Sequence, residues 1–228
     1  MSMDSELPEF PTDWQRALVL VAHPDDPEYG MATAISRWTA EGKRVDYVLA
    51  TSGEAGIEGM EPAACGPLRE DEQRRAGAVV GVTDISFLGF PDSRLRNDEA
   101  LRSALSKEIR EHRPDLVLSL YRGPAWGPEA PNQSDHIEFG NAAVDAVAGL
   151  PAEERPRWLF ENGPGPTHRV AVTDRDVQRA IGSLAEHDVY LEVLDPQTPV
   201  IEQARKQVEM TCHRDTGGIW VGFTQIDL

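Results

Sequence analysis

The stretch Ala17-Leu18-Val19-Leu20-Val21-Ala22-His23-Pro24-Asp25-Asp26-Pro27-Glu28 decides the fold. Its first six residues form a short apolar run without alternation, the pattern of a strand buried on both faces of a parallel sheet. The residues from Tyr29 to Glu41 follow helical periodicity, so the imidazole and three carboxylates of residues 23–28 fall on a strand-to-helix turn. Ligands of open α/β sheets bind at that edge, outside the carboxyl ends of the strands. Acids here can also be first-turn residues that complement a helix dipole. Adjacent carboxylates beside a histidine nevertheless repel one another unless a proton or a cation neutralises them.

The same alternation extends outward. Strands are expected at Leu18–Ala22, Val45–Ala50, Ile85–Leu88, Leu116–Leu120, Arg157–Phe160 and Val170–Thr173. Helices at Tyr29–Glu41, Pro67–Val80, Asp98–His112 and Asp135–Val147 alternate with the first four. Right-handed crossovers then give a single three-layer α/β domain with a mostly parallel, Rossmann-like sheet over residues 1–228. Asp174 to Cys212 reads as two helices joined near Asp195-Pro196, and Ile219 to Ile226 as a closing strand. Residues 1–14 read as a poorly ordered acidic leader.

His23 and Asp26, three apart across a turn, can converge on one ion, and zinc accepts mixed nitrogen and oxygen ligands with a position left for water. A third ligand has to come from elsewhere. Among the six histidines, His136 in Asn132-Gln133-Ser134-Asp135-His136 is the best placed, because it follows the strand ending at Leu120. Asp135 is then in position to orient it or a neighbour.

Together with Ala22–Asp26, the turn Thr51-Ser52-Gly53-Glu54, the pair Arg69 and Glu72, the loop Gly89-Phe90-Pro91-Asp92 and Ser134-Asp135-His136 resemble the PIG-L/LmbE-like zinc N-deacetylases. The resemblance runs from about Arg16 to about Leu194. It implies that His23, Asp26 and His136 bind zinc and that Asp25 is the general base for hydrolysis of an N-acetyl group on an N-acetylglucosamine-type sugar. It also implies that Arg69 and Asp92 contact substrate hydroxyls. Gln133 stands where many members carry a histidine. Its amide can donate to an oxyanion but cannot deliver a proton, which leaves His168, His187 or Asp25 itself as candidate acids. His112 and His213 read as helix-end residues. The same ligands accept iron, cobalt or manganese. An amidase acting on a thiol-sugar conjugate or an antibiotic intermediate, or a non-enzymic metal-binding domain, are the alternative readings.

Composition narrows the partners. The net charge is −17 without a basic cluster, which disfavours nucleic acid and anionic membrane surfaces. A nucleotide-binding oxidoreductase is disfavoured by the lack of a Gly-x-Gly-x-x-Gly turn. No run approaches the ~18 apolar residues that span a bilayer. Two cysteines make no disulfide framework, so a cytoplasmic protein acting on a small amino sugar is the expectation, with homo-oligomerisation left open. The stretch 121–134, with Tyr121, Trp126 and three prolines, reads as a stiff aromatic lid over a sugar face. The glycine-rich stretch 53–66 reads as a loop.

Overall fold

The computed structural model describes residues 7–228. In chain order the elements are β1 (Arg16–Val21), α1 (Ala32–Ala40), β2 (Arg44–Leu49), α2 (Pro62–Val79), β3 (Ile85–Phe87) and α3 (Glu99–His112). They continue with β4 (Leu116–Ser119), β5 (Ala125–Gly127), β6 (Ala130–Pro131), α4 (Ser134–Ala148), β7 (Trp158–Glu161) and β8 (His168–Val172). The last are α5 (Asp174–Leu184), α6 (Asp188–Leu194), α7 (Val200–Thr211), β9 (His213–Asp215) and β10 (Gly218–Gln225).

The main sheet has the order β3-β2-β1-β4-β7-β10-β8, with β9 paired to β10. Strands β3, β2, β1, β4 and β7 are mutually parallel, and β10 runs antiparallel between β7 and β8. The expected α/β domain with a mostly parallel sheet is therefore present. Every expected strand exists, with ends moved by one or two residues. Helices α3 and α4 pack on each other in one layer, and α1, α2 and α7 pack around α5 in the other. Ala17 to Val21, all of β1 after its first residue, are buried, as a strand covered on both faces requires. The strand order reverses between β1 and β4, which makes their carboxyl ends the topological switch point of the sheet.

Four expectations change. Helix α1 begins at Ala32 and has no acid in its first turn, because Pro24 and Pro27 bias the residues before them away from helix. The dipole-complementing role for Asp25, Asp26 and Glu28 is thereby removed. Helix α2 begins at Pro62 and carries Pro67 inside it, so residues 62–66 are helical, where a glycine-rich loop was expected. Two prolines here suit a first helical turn, and the upstream one takes it, with Cys65 and Gly66 buried. The segment after Asp174 holds three helices, where two were expected, although the break at Asp195-Pro196 is where it was placed. His213 begins β9 and stacks on Trp220 at 4.0 Å, so it does not end a helix.

Residues 7–14, expected to form part of a loose leader, are packed, and residues 1–6 lie outside the described residues. Phe10 sits 4.3 Å from the Phe160 ring, and Trp14 meets Trp38 edge-on at 5.1 Å while its Nε1 donates to Pro11 O. Both are buried. Aromatic burial outweighs the acidic composition of this segment. Trp14→Ala is expected to lower the unfolding free energy by about 3–5 kcal/mol, which chemical denaturation followed by circular dichroism measures.

Candidate active site

The turn after β1 is held by its own carboxylates. Asp26 Oδ2 accepts the backbone N–H groups of Ala22 and His23 at 3.0 and 2.8 Å. Its other oxygen, Oδ1, lies 3.0 Å from His136 Nε2. Asp25 adopts φ +85°, a left-handed conformation that is costly for a residue with a Cβ. That backbone twist sends the two neighbouring carboxylates in different directions, Asp26 to His136 and Asp25 to Arg69.

His23 Nδ1 lies 3.6 Å from Asp26 Oδ2, so the donor atoms of His23, Asp26 and His136 gather within 4.8 Å of one another. His136 sits on the first turn of α4, which the long connection after β4 delivers to the switch point. Both of its ring nitrogens are buried, Nε2 against Asp26 Oδ1 and Nδ1 without a hydrogen-bond partner. Buried imidazole nitrogens gathered around an oriented carboxylate fit a cation, and the donor set suits a zinc-class ion. The second ring nitrogen of His23, Nε2, lies 3.4 Å from Asp135 Oδ2 and 3.3 Å from Asp92 Oδ1. Ligating histidines commonly give their other nitrogen to a carboxylate, which fixes ring orientation. Asp135 thus reaches His23, a neighbour of the residue beside it.

Electrostatics follow from this crowding. Burial disfavours the charged form of His23, but Asp135, Asp26 and Asp92 outweigh it and hold the imidazole well above its usual range. Burial and Asp26 act on His136 in the same opposed way, with a net rise. Asp26 is driven down, since His136 and His23 overcome its burial. Asp25 goes the other way, pushed up to about 6 by burial, with Arg69 opposing and Asp26 reinforcing.

Arg69 meets Asp25. It is buried, and its Nη2 donates to Asp25 Oδ2 at 2.9 Å and to Pro24 O at 2.8 Å, with the guanidinium 4.2 Å above the Tyr190 ring. Gly53 and Gly56 make room for it, because a Cβ on either would collide with Nη1. Asp92, besides facing His23, accepts the N–H of Ala55 at 2.9 Å. Gln133 caps α4 with its side chain exposed beside the site. The two histidines named as candidate acids are placed otherwise. His168 starts β8, four strands from β1, and His187 is wholly buried against Glu28.

Sequence reading missed Tyr190 and Gln73, and it named Glu72 without a role. The Tyr190 phenol is pushed upward by the charge of Asp25 and by burial, so it stays a neutral donor. Glu72 Oε1 accepts the N–H groups of Val189 and Tyr190 in the first turn of α6, and Gln73 takes the Asp25 N–H at 2.8 Å. Their spacing from Arg69, three and four residues on one helix, was the available signal.

A family model described as PIG-L, GlcNAc-PI de-N-acetylase, matches residues 18–147, which span the side chains described here except those of His168, His187 and Tyr190. The chain belongs to the PIG-L family. A probable N-acetyl-alpha-D-glucosaminyl L-malate deacetylase 2 of Bacillus anthracis is 30% identical over 187 residues, covering 76% of this chain and 80% of that protein. The N,N'-diacetylchitobiose deacetylase of Pyrococcus horikoshii, solved with its inhibitor MPG, aligns with a TM-score of 0.75 at 23% identity, over 94% of this chain and 84% of that one. The 4-carboxy-2-hydroxymuconate hydratase GalB of Pseudomonas putida KT2440 aligns at 0.68 with 18% identity, over 94% and 97%. The PIG-L fold therefore hosts more than one reaction, and the chemistry has to be argued from the site.

A second histidine-acid group, Asp46, Asp84 and His112, provides a control. There Arg44 donates to both Asp46 oxygens and to Asp84, so the acids already hold a cation. His136→Ala is expected to abolish retention of about one zinc-class ion per chain, whereas His112→Ala keeps it. Metal content of the two purified variants, measured by mass spectrometry, checks this.

Proposed function

We propose that this PIG-L family member is a metal-dependent hydrolase that removes an N-acetyl group from an N-acetylglucosamine-type sugar or glycoconjugate. The observation that carries the reading is the divergence of Asp25 and Asp26: one joins His23 and His136 in a donor triad, and the other stands beside it, held by Arg69. The deacetylase names of its relatives support the substrate class.

In this reading His23, Asp26 and His136 hold a zinc-class ion, with Asp92 and Asp135 orienting His23. When bound, such an ion lowers the pKa of water to about 7 and polarises a carbonyl oxygen. Asp25 accepts a proton from water as the water oxygen attacks the amide carbon. The tetrahedral adduct then collapses, the C–N bond breaks, and acetate and the free amine leave. The departing nitrogen needs a proton. With Gln133 unable to give one, and His168 and His187 placed elsewhere, Asp25 returns the proton it accepted. Gln133 donates its amide N–H to the oxyanion.

An exposed aromatic supports a sugar substrate. Hairpin β5–β6 carries Trp126, which is 40% exposed and rests 4.9 Å from Tyr121. Asn132 fixes it, accepting from Trp126 Nε1 and donating to the carbonyls of Tyr121 and Gly123. A rigid exposed aromatic next to Gln133 suits the apolar face of a pyranose.

Incubating the zinc-loaded protein with N-acetylated sugars and detecting the free amine tests the reading. Release of amine from N-acetylglucosamine derivatives is expected. Release only from thiol-sugar conjugates or antibiotic glycosides would move the assignment to those amidases. Asp25→Asn is expected to keep the metal and lower turnover by on the order of a hundredfold to ten-thousandfold. Metal loss would instead make Asp25 a ligand. Gln133→Ala is expected to lower turnover by about tenfold to a thousandfold without shifting the basic limb of the pH–rate profile. A shifted limb would show that Gln133 acts through more than a neutral hydrogen bond.

A further inference from the structure

Beneath Asp25 lies a buried polar layer contributed by four parts of the chain. Gln73 on α2 uses both ends of its amide: Oε1 accepts the Asp25 N–H at 2.8 Å, and Nε2 donates to both oxygens of Glu28 at 3.2 Å. Glu28 Oε1 lies 3.2 Å from Ser183 Oγ on α5, and its Oε2 lies 3.4 Å from Nε2 of His187, the residue that precedes α6. Gln73, Glu28, Ser183 and His187 are all buried. A buried carboxylate and a buried imidazole are expensive to keep, and neither of these belongs to the donor triad.

Gln73 has only one useful orientation. The oxygen end alone can satisfy the Asp25 N–H, and the amino end alone can satisfy a carboxylate. Glu28 therefore determines which way the amide faces. The N–H so held belongs to the residue with φ +85°, the conformation that separates the Asp25 and Asp26 carboxylates. Left-handed backbone at a non-glycine residue persists only where its surroundings over-determine it.

We propose that Gln73 and Glu28 are positioning residues for the general base, with Gln73 holding the left-handed Asp25 backbone and Glu28 locking the Gln73 amide. This rests on the reading of Asp25 as the base. Helix α2 then acts on Asp25 from two sides, Arg69 on its carboxylate and Gln73 on its backbone. Displacements of about 1 Å can cost ~100-fold in rate, so loss of the clamp affects turnover more than substrate binding.

An exchange of the two groups tests the clamp. Gln73→Glu puts two carboxylates face to face, and Glu28→Gln removes the group that orients the amide. The double variant Gln73→Glu/Glu28→Gln restores one carboxylate and one amide, with the Asp25 N–H again facing an oxygen. Each single variant is expected to lower kcat by about tenfold to a hundredfold with KM within about twofold and metal content unchanged. The double variant is expected to recover most of the loss. A folded double variant as slow as the slower single one would overturn the proposal, and this remains decisive if Gln73→Glu alone fails to fold.

Amide hydrogen exchange across residues 23–31, measured on the metal-loaded variants, separates this proposal from the one beneath it. Faster exchange in the single variants, reversed in the double one, supports the clamp whatever the turnover. If turnover then stays normal, the role of Asp25 as base is what fails. Unchanged exchange in both single variants would overturn the clamp itself.

Discussion

The left-handed peptide at Asp25 is the constraint on which the site depends. In an extended or helical backbone, side chains of adjacent residues are separated by a fixed angle that the local element dictates. Between two prolines, with φ +85° at Asp25, the chain instead places Asp26 under the backbone N–H groups of Ala22 and His23. Asp25 is thrown across to α2. The short distance from the end of β1 to this turn puts both acids at the switch point of the sheet, where the connection after β4 can bring His136 to meet them.

Burial then makes geometry into chemistry. Asp25, Asp26, Asp92 and Asp135 have little solvent to spread their charge into. Each has a different answer. Asp26 has two imidazoles and two backbone N–H groups, Asp92 and Asp135 share one ring nitrogen, and Asp25 has a guanidinium. The two adjacent acids are consequently pushed in opposite directions, Asp26 down and Asp25 up to about 6. Pairs of carboxylates whose surroundings separate them in this way can divide ligation and proton transfer between them.

Much of this was legible in the sequence. The apolar run before His23 announced a central strand, and the alternation of strands and helices announced the parallel sheet, because burial on both faces and helical amphipathicity leave distinct periodicities. His136 could be picked because it followed a strand whose loop opens on the same edge as the first if the two lie in one parallel sheet. The pairing of Arg69 with Asp25 was not legible, since the contact joins residues 44 apart in sequence. The packing of Phe10 and Trp14 was hidden for the opposite reason: two aromatics in a segment of acids and prolines carry no period, and their value lies in which rings they meet. Gln73 left only its spacing from Arg69 as a trace, because an amide that bonds a backbone N–H has the same composition as one facing water.

The histidine-acid groups around Asp26 and around Asp46 differ in whether a permanent cation already faces the acids. At Asp46, Asp84 and His112 the guanidinium of Arg44 is bound to the acids, and His112 Nδ1 lies 3.0 Å from Asp46 Oδ2. Arg44 is more than half exposed, so the charges there are also screened by solvent, and nothing further is required of the cluster. At His23, Asp26 and His136 the side chains facing the central carboxylate are imidazoles, which carry charge only by holding protons. A divalent ion can replace those protons without moving the ligands. It also leaves Arg69 where it is, on the neighbouring acid. The chain thus places a permanent cation on Asp25 and groups with exchangeable protons around Asp26, the division of labour that the proposed base and metal ligand call for.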